Sequence, residues 1–140
     1  MKTLIVSLLL TLSFTATAHV GGHYKENIYN PKFGGTLAKI ENPATNALVA
    51  ELAKDGKNGL FLFLYDRKMN LVTSSASKAK VSGKITSGRG KRAQSLDVSF
   101  THSNDRFKVK LPNIKKRPYS IAINIKQNGK SSTIVFNNVD

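Results

Sequence analysis

The chain has 140 residues, of which 22 are Lys or Arg and 8 are Asp or Glu, so its formal net charge at pH 7 is +14. That length fits one ordinary globular domain. The sequence contains no cysteine, which excludes disulfides, thiolate metal clusters, a cysteine nucleophile and a lipid-modified cysteine.

Residues 1–18 carry the features of a secretory signal peptide. Lys2 gives a basic start, residues 4–14 are mostly apolar, and Ala16-Thr17-Ala18 is a small-x-small cleavage site. Cleavage after Ala18 removes one lysine and lowers the formal charge to +13. No later segment approaches the roughly 20 apolar residues of a membrane helix. We therefore expect a soluble mature protein that is periplasmic or secreted.

Residues 19–35 predict a flexible N-terminal arm. The segment has paired glycines near both ends, one proline and little apolar periodicity. The first strand-like alternation begins at Thr36, so we place the start of the folded domain there.

Residues 36–140 predict an all-β domain, because apolar residues recur with a period of two between turn-forming clusters. The predicted strands cover residues 48–53, 60–65, 78–86, 93–101, 106–111, 119–126 and 133–137. Asn128-Gly129 lies between the last two strands and is the pair that a type I′ hairpin turn prefers.

Seven or eight short strands without a convincing helix indicate an antiparallel immunoglobulin-like β-sandwich. A closed small barrel is the alternative fold. The expected core residues are Leu62, Phe63, Leu64, Val81, Ile85, Leu96, Val98, Phe107, Val109, Ile121, Ile123, Ile125, Ile134 and Phe136.

Two connections between predicted strands are strongly cationic and are candidate anion-binding segments. Backbone N–H groups in a glycine-containing loop can hold an anion when an arginine lies beside them. An ordinary mobile hairpin loop also fits this composition. The candidate residues are Arg89, Lys91 and Arg92 in the first connection and Lys115, Lys116 and Arg117 in the second.

Catalytic motifs are absent from the sequence, and we expect that the protein is not an enzyme. There are three histidines, the acidic residues are dispersed, and no Gly-x-Ser-x-Gly or His-Glu-x-x-His motif occurs. A hydrolytic triad would have to combine His102 with Asp97 or Asp105 and a distant serine.

His19 and His23 are the candidate metal ligands. Cleavage after Ala18 would make His19 the amino terminus, so that its α-amine and imidazole could chelate one ion while His23 supplies a third nitrogen. A nitrogen-rich set with open positions suits Cu(II) or Ni(II), and the Irving–Williams order favours copper. A polar terminus that holds no metal tightly is the alternative.

The chain resembles a group of small exported bacterial proteins whose mature chains begin His-rich and continue Pro-Lys-His-Gly-Gly. The similarity covers residues 31–37, 48–52, 62–66, the Ala-Lys-Val strand at 79–81 and the final strand pair. Members of that group are commonly encoded beside heavy-metal efflux systems, which implies a periplasmic role in metal handling. Phe33 stands where the group has a histidine, so the resemblance leaves His19 and His23 as the matching ligands.

The sequence thus leads to two main functional hypotheses. The first is a non-enzymatic periplasmic protein that binds a metal, copper in particular, or assists a metal-efflux system. The second is a cationic module that docks on an anionic envelope component or a partner protein, since a large positive charge attracts polyanions; after export, nucleic acid is not the expected partner. A copper oxidase with an amino-terminal histidine chelate ranks behind both.

Overall fold

A computed structural model describes residues 29–73 and 78–140. Residues 31–140 form one compact unit, so this unit begins five residues before the boundary predicted at Thr36. The predicted signal peptide, His19 and His23 lie outside the described residues. No helix in the described part of the chain is long and apolar enough to cross a membrane.

The described residues form nine strands. They are β1 (Thr36–Lys39), β2 (Val49–Lys54), β3 (Gly59–Tyr65), β4 (Lys80–Ser87), β5 (Gln94–Ser99), β6 (Thr101–Ser103), β7 (Arg106–Lys110), β8 (Tyr119–Gln127) and β9 (Lys130–Val139).

The strands make two antiparallel sheets, in the orders β1-β2-β3-β7-β6 and β5-β4-β8-β9. Without β1, the first sheet has the A-B-E-D order of an immunoglobulin domain, and the second has the order C′-C-F-G. The predicted antiparallel immunoglobulin-like sandwich is therefore confirmed, with one additional strand at the amino-terminal edge.

Two differences explain why nine strands form where seven or eight are predicted. The short edge strand β1 pairs with β2. Apolar and polar residues alternate too weakly along β1 for the sequence to predict a strand there. The strand predicted at 93–101 is divided at Phe100, where the chain passes from one sheet to the other. Phe100 is buried and its N–H donates to the Val81 carbonyl at 2.9 Å, which fixes the crossing point.

The core lies between the two sheets and is filled by the inward side chains of alternating strands. β8 shows the pattern most clearly, because Tyr119, Ile121, Ile123 and Ile125 are buried while the residues between them are half-buried. Most of the predicted core residues belong to this cluster. Phe63 is also buried, but it lies outside the cluster and contacts Phe33 and Phe61 instead.

The prediction that Leu96 is a core residue is wrong, and Val98 is only partly buried. Leu96 is 41% exposed, and Val98 packs against the margin of the core. Both residues lie on β5, which is the edge strand of its sheet. An edge position leaves their side chains without a facing strand to cover them.

A buried carboxylate holds the segment 31–35 against the first sheet. Glu51 in β2 is fully buried, and its two oxygens accept the backbone N–H groups of Lys32, Phe33 and Gly35 at 2.9–3.0 Å. The Tyr65 hydroxyl donates to the same carboxylate at 2.6 Å. Burial alone would raise the pKa of Glu51, but these four hydrogen bonds together lower it.

The Asn128-Gly129 turn is confirmed, and it gives a direct test of the hairpin geometry. Gln127 pairs with Lys130, and both central residues have positive φ, 51° and 76°, as a type I′ turn requires. Replacing Gly129 with Val should lower the free energy of unfolding by about 1–3 kcal/mol, because a β-branched residue resists positive φ. Urea denaturation measures the loss, and a change of a few tenths would contradict the assignment.

Glu51→Gln should destabilise the protein by about 2–3 kcal/mol at neutral pH. The substitution removes a charged acceptor, and the new amide N–H₂ group faces the buried N–H groups that the carboxylate accepts. The pKa of Glu51 is lower folded than unfolded, so its stabilisation is present above the unfolded value of about 4.3 and is lost as the pH falls. The difference between native protein and variant should therefore shrink in acid. Denaturation against pH checks this, with Glu41→Gln as the exposed control. An equal effect of the two variants would contradict the role of Glu51.

Candidate anion-binding site

The sandwich brings the two cationic connections together at one end. β4 ends at Ser87 and β8 begins at Tyr119, and these two residues are paired in the antiparallel register. The loop that follows β4 and the segment that precedes β8 therefore leave the second sheet side by side. We call the six predicted anion-binding residues Arg89, Lys91, Arg92, Lys115, Lys116 and Arg117 the cationic end.

Gly88, in the first connection, lies beside Lys116 of the second. Its φ is +84°, and a Cβ added there would lie 3.1 Å from the Arg92 carbonyl oxygen and 3.6 Å from Cδ of Lys116. The side chain of Lys116 thus lies against the start of the first loop. A short 3₁₀ turn at Gly90–Arg92 then leads the chain towards β5.

Arg117 connects the cationic end to the first sheet. Its guanidinium carbon lies 5.6 Å from the centre of the Tyr119 ring, within the range of a cation–π contact. One Nη donates to the Lys57 carbonyl at 3.4 Å, and Lys57 lies in the turn between β2 and β3. Both sheets therefore contribute to this end of the molecule.

The six cations are all exposed. Among the described residues the ion pair within 4.0 Å is Arg106 with Asp105, so none of the six is neutralised by a described carboxylate. Lys54 at the end of β2 and Lys57 in the β2–β3 turn add positive charge, against Asp55 in that turn and Asp140. This end consequently carries an excess of positive charge that faces solvent, the condition for attracting a polyanion.

A cavity of about 460 Å³ opens at the same end. Its wall combines basic, amide and apolar residues with one acidic residue. The lining residues are Lys54, Gly56, Lys57, Asn58, Gly59, Leu60, Leu111, Asn113, Ile114, Arg117, Tyr119 and Asp140.

Tyr119 is the unusual member of this wall. The residue is 2% exposed, and its hydroxyl has no hydrogen-bond partner in the part of the chain described here. Burial raises the pKa of Tyr119, and the nearby charge of Arg117 opposes part of that rise. A buried hydroxyl left without a partner costs about 1–3 kcal/mol, so a phenylalanine would fill this position at lower cost.

Sequence reasoning identified the six cations but missed Tyr119 and Lys57. The available signal for Tyr119 was its position in the apolar phase of β8, where a side chain with a hydroxyl needs a polar partner. Lys57 joins the site through a contact with a residue 60 positions away, and no local pattern predicts such a contact.

The candidate hydrolytic residues His102 and Asp105 have contacts of their own. The His102 ring meets the edge of Phe107 with centroids 5.1 Å apart, and Asp105 bonds Arg106. Across the two described ranges no group of three His, Cys, Asp or Glu residues could hold a metal ion. The copper prediction concerns His19 and His23, which lie outside these ranges.

A larger cleft of about 1040 Å³ lies beside the exposed edge of β5, with Leu96, Asp97 and Val98 on one side and Lys108 and Val109 of β7 on the other. Its charges are mixed, since Asp55 and Asp97 line it together with Lys108 and Lys110. It is therefore less suited to an anion than the cationic end.

Comparisons with known protein families, with curated proteins and with solved structures find no match to this chain. The immunoglobulin-like description thus follows from the strand order alone. The resemblance to exported metal-associated proteins stays a prediction.

The packing at Gly88 predicts a difference between two glycines of the same loop. Gly88 and Gly90 both have positive φ, but a Cβ at Gly90 would meet nothing within 4 Å. Gly90→Ala should cost about 1 kcal/mol for the left-handed backbone alone. Gly88→Ala should cost more, because the Arg92 carbonyl is crowded as well. Urea denaturation of both variants compares them, and equal losses would show that the Arg92 carbonyl does not crowd Gly88 as described.

Proposed function

We propose that this chain is a non-enzymatic cationic binding module that docks on an anionic component of the cell envelope. The contact is made by the cationic end. The observation that carries the proposal is that two basic segments, separate in sequence, lie side by side without a carboxylate partner among the described residues.

The docking proposal is supported by the density of unpaired positive charge on a part of the fold that the sheet holds in place. Six cations on two short connections are held by the paired ends of β4 and β8. A fixed cluster binds a polyanion at several points at once, so each contact adds to the next without a new loss of translational freedom. Lipopolysaccharide, anionic lipids and acidic polymers offer such repeated negative charges.

The proposed place of action is the periplasm or the cell exterior. This part of the proposal is supported by the sequence of residues 1–18, with its basic start, apolar run and small-x-small cleavage site. After export the accessible polyanions are those of the envelope, which agrees with the docking function.

The test compares two variants with the same change of charge. One replaces the six residues of the cationic end by glutamine. The other replaces six exposed cations from the opposite end of the sandwich, Lys39, Arg67, Lys78, Lys80, Lys126 and Lys130.

Binding to vesicles of phosphatidylcholine with phosphatidylglycerol, against phosphatidylcholine alone, should weaken at least tenfold in the first variant. The control variant should lose much less, and binding by the native protein should fall steeply as salt rises. Equal losses in the two variants would show that net charge, and not the cationic end, determines binding.

Copper binding through His19 and His23 is the second candidate function, and the resemblance to exported metal-associated proteins implies a role beside a metal-efflux system. The feature that favours it is the sequence His-Val-Gly-Gly-His directly after the predicted cleavage site. An α-amine with two imidazoles makes a nitrogen-rich set, which tetragonal Cu(II) prefers and tetrahedral Zn(II) does not.

Calorimetry on the exported protein tests the copper hypothesis after mass spectrometry has fixed its terminus. Cu(II) should bind one to one and more tightly than Zn(II). An extra residue before His19 should weaken binding, whereas His102→Ala should not. Copper binding no tighter than about 10 μM, which corresponds to about −7 kcal/mol, would contradict the hypothesis.

A further inference from the structure

The edge strand β5 lacks the devices by which proteins usually protect the edge of a sheet, namely short length, lysine, proline or a covering segment. Of the other edge strands, β1 and β6 have only four and three residues. β9 begins with Lys130, and its Ser132 is hydrogen-bonded to the chain at Asn42 and Ala44. β5 has six residues and none of them is basic or proline, although the chain has 22 lysines and arginines.

The pairing of β5 with β4 shows which backbone groups of β5 face the open side. The Phe100 N–H donates to the Val81 carbonyl, and along an antiparallel pair every second residue bonds the neighbouring strand in this way. Ser95, Asp97 and Ser99 occupy the positions in between. Their N–H and C=O groups therefore point away from β4, towards the open edge.

The cleft of about 1040 Å³ lies where a further strand would place its inward side chains. Leu96, which is 41% exposed, and Val98 lie on the inward face of β5. Val109 and Leu111 line the cleft from the other sheet. That sheet leaves room here, because β6 pairs with β7 only as far as Lys108. An added strand would thus cover apolar side chains of β5 and meet apolar residues of the facing sheet.

Charge favours an acidic partner over a second copy of this chain. Two copies with a formal charge of +14 each repel one another. Lys108 and Lys110 line the cleft together with Asp55 and Asp97, and the loop that leads into β5 adds further positive charge. An antiparallel strand, the commoner arrangement, would place its carboxyl-terminal end beside that loop.

We propose that the open edge of β5 binds an extended segment of a partner protein, which adds to the sheet as an antiparallel strand. The segment has apolar residues at alternate positions and acidic residues at its carboxyl-terminal end. Its backbone pairs with Ser95, Asp97 and Ser99, and its apolar side chains cover Leu96 and Val98, the mode of recognition known as β-augmentation. This inference goes beyond the proposed docking function, because it concerns a different surface and a different class of partner.

The first experiment measures binding of a fluorescent acidic peptide, Ser-Val-Thr-Val-Thr-Val-Ser-Glu-Glu, to the full exported chain by anisotropy. Leu96→Lys should weaken binding at least tenfold. Val135→Lys is the matched control, because Val135 is 53% exposed on another strand of the same sheet and the change of charge is identical; it should weaken binding less than threefold. A basic peptide with lysines in place of the two glutamates should bind at least tenfold more weakly than the acidic one. Equal binding by the two variants or of the two peptides would overturn the proposal, as would no binding of the acidic peptide at about 1 mM.

The second experiment tests the backbone pairing directly. Amide hydrogen exchange, followed by NMR on the native chain, should slow at least tenfold at Ser95, Asp97 and Ser99 when the acidic peptide is bound. Asp97→Pro removes one outward N–H without removing a bond to β4, and proline is tolerated at such edge positions. It should weaken binding at least tenfold, whereas Asp97→Ala, which keeps the N–H, should not weaken it. Peptide binding that leaves these three amides unprotected would overturn the proposal.

Sedimentation of the chain without peptide distinguishes the partner segment from a second copy. We expect a monomer at the concentrations used for peptide binding. A dimer that Leu96→Lys dissociates and Val135→Lys does not would show that the edge of β5 joins two copies of this chain, and would overturn the assignment of an acidic partner.

Discussion

The buried carboxylate of Glu51 is the interaction on which the outer side of the first sheet depends. A charged group without solvent is costly unless it is fully hydrogen-bonded, and Glu51 meets this condition with three backbone N–H groups and one hydroxyl. These donors come from segment 31–35 and from β3. The charge therefore determines where the chain can enter the sandwich.

The consequences of that anchor extend to the neighbouring rings and to Gly35. With the backbone of 31–35 fixed, Phe33 stacks on Phe63 with ring centres 3.9 Å apart. A Cβ on Gly35 would lie 2.4 Å from the Leu52 carbonyl oxygen, so the segment can approach β2 this closely only with glycine. The sequence Pro31 to Gly35, interpreted from composition as part of an arm, is held in place by a residue sixteen or more positions away.

The parts of the structure that the sequence predicts are those determined by local pattern. Alternation along β8 and the Asn128-Gly129 pair specify a strand and its turn within a few residues, and both are present. The prediction that Leu96 is a core residue fails because the alternation of apolar and polar residues shows which side chains share a face of the strand. It does not show whether a second sheet covers that face. For the candidate site, the sequence identifies the six cations. It does not predict that the two segments lie side by side, because this follows from the pairing of Ser87 with Tyr119.

Lys32 and Arg106 show how this highly cationic chain uses charge within its fold. Lys32 lies over Tyr65 and donates to the Met69 carbonyl at 2.6 Å, and Arg106 lies over three phenylalanine rings while its Nε bonds Asp105 at 2.9 Å. In both, the aromatic contact is completed by a short polar one.

Arg117 has the aromatic contact with Tyr119 but only the 3.4 Å bond to a carbonyl. The ring beneath it also carries the unpartnered hydroxyl. Tyr119 is buried, whereas the Arg117 guanidinium above its ring is exposed to solvent, so most of the N–H groups of Arg117 remain within reach of an anion. The incompletely satisfied cation–aromatic pair therefore lies at the end where the chain concentrates its unpaired positive charge, and this coincidence connects the stability of the fold with its proposed binding function.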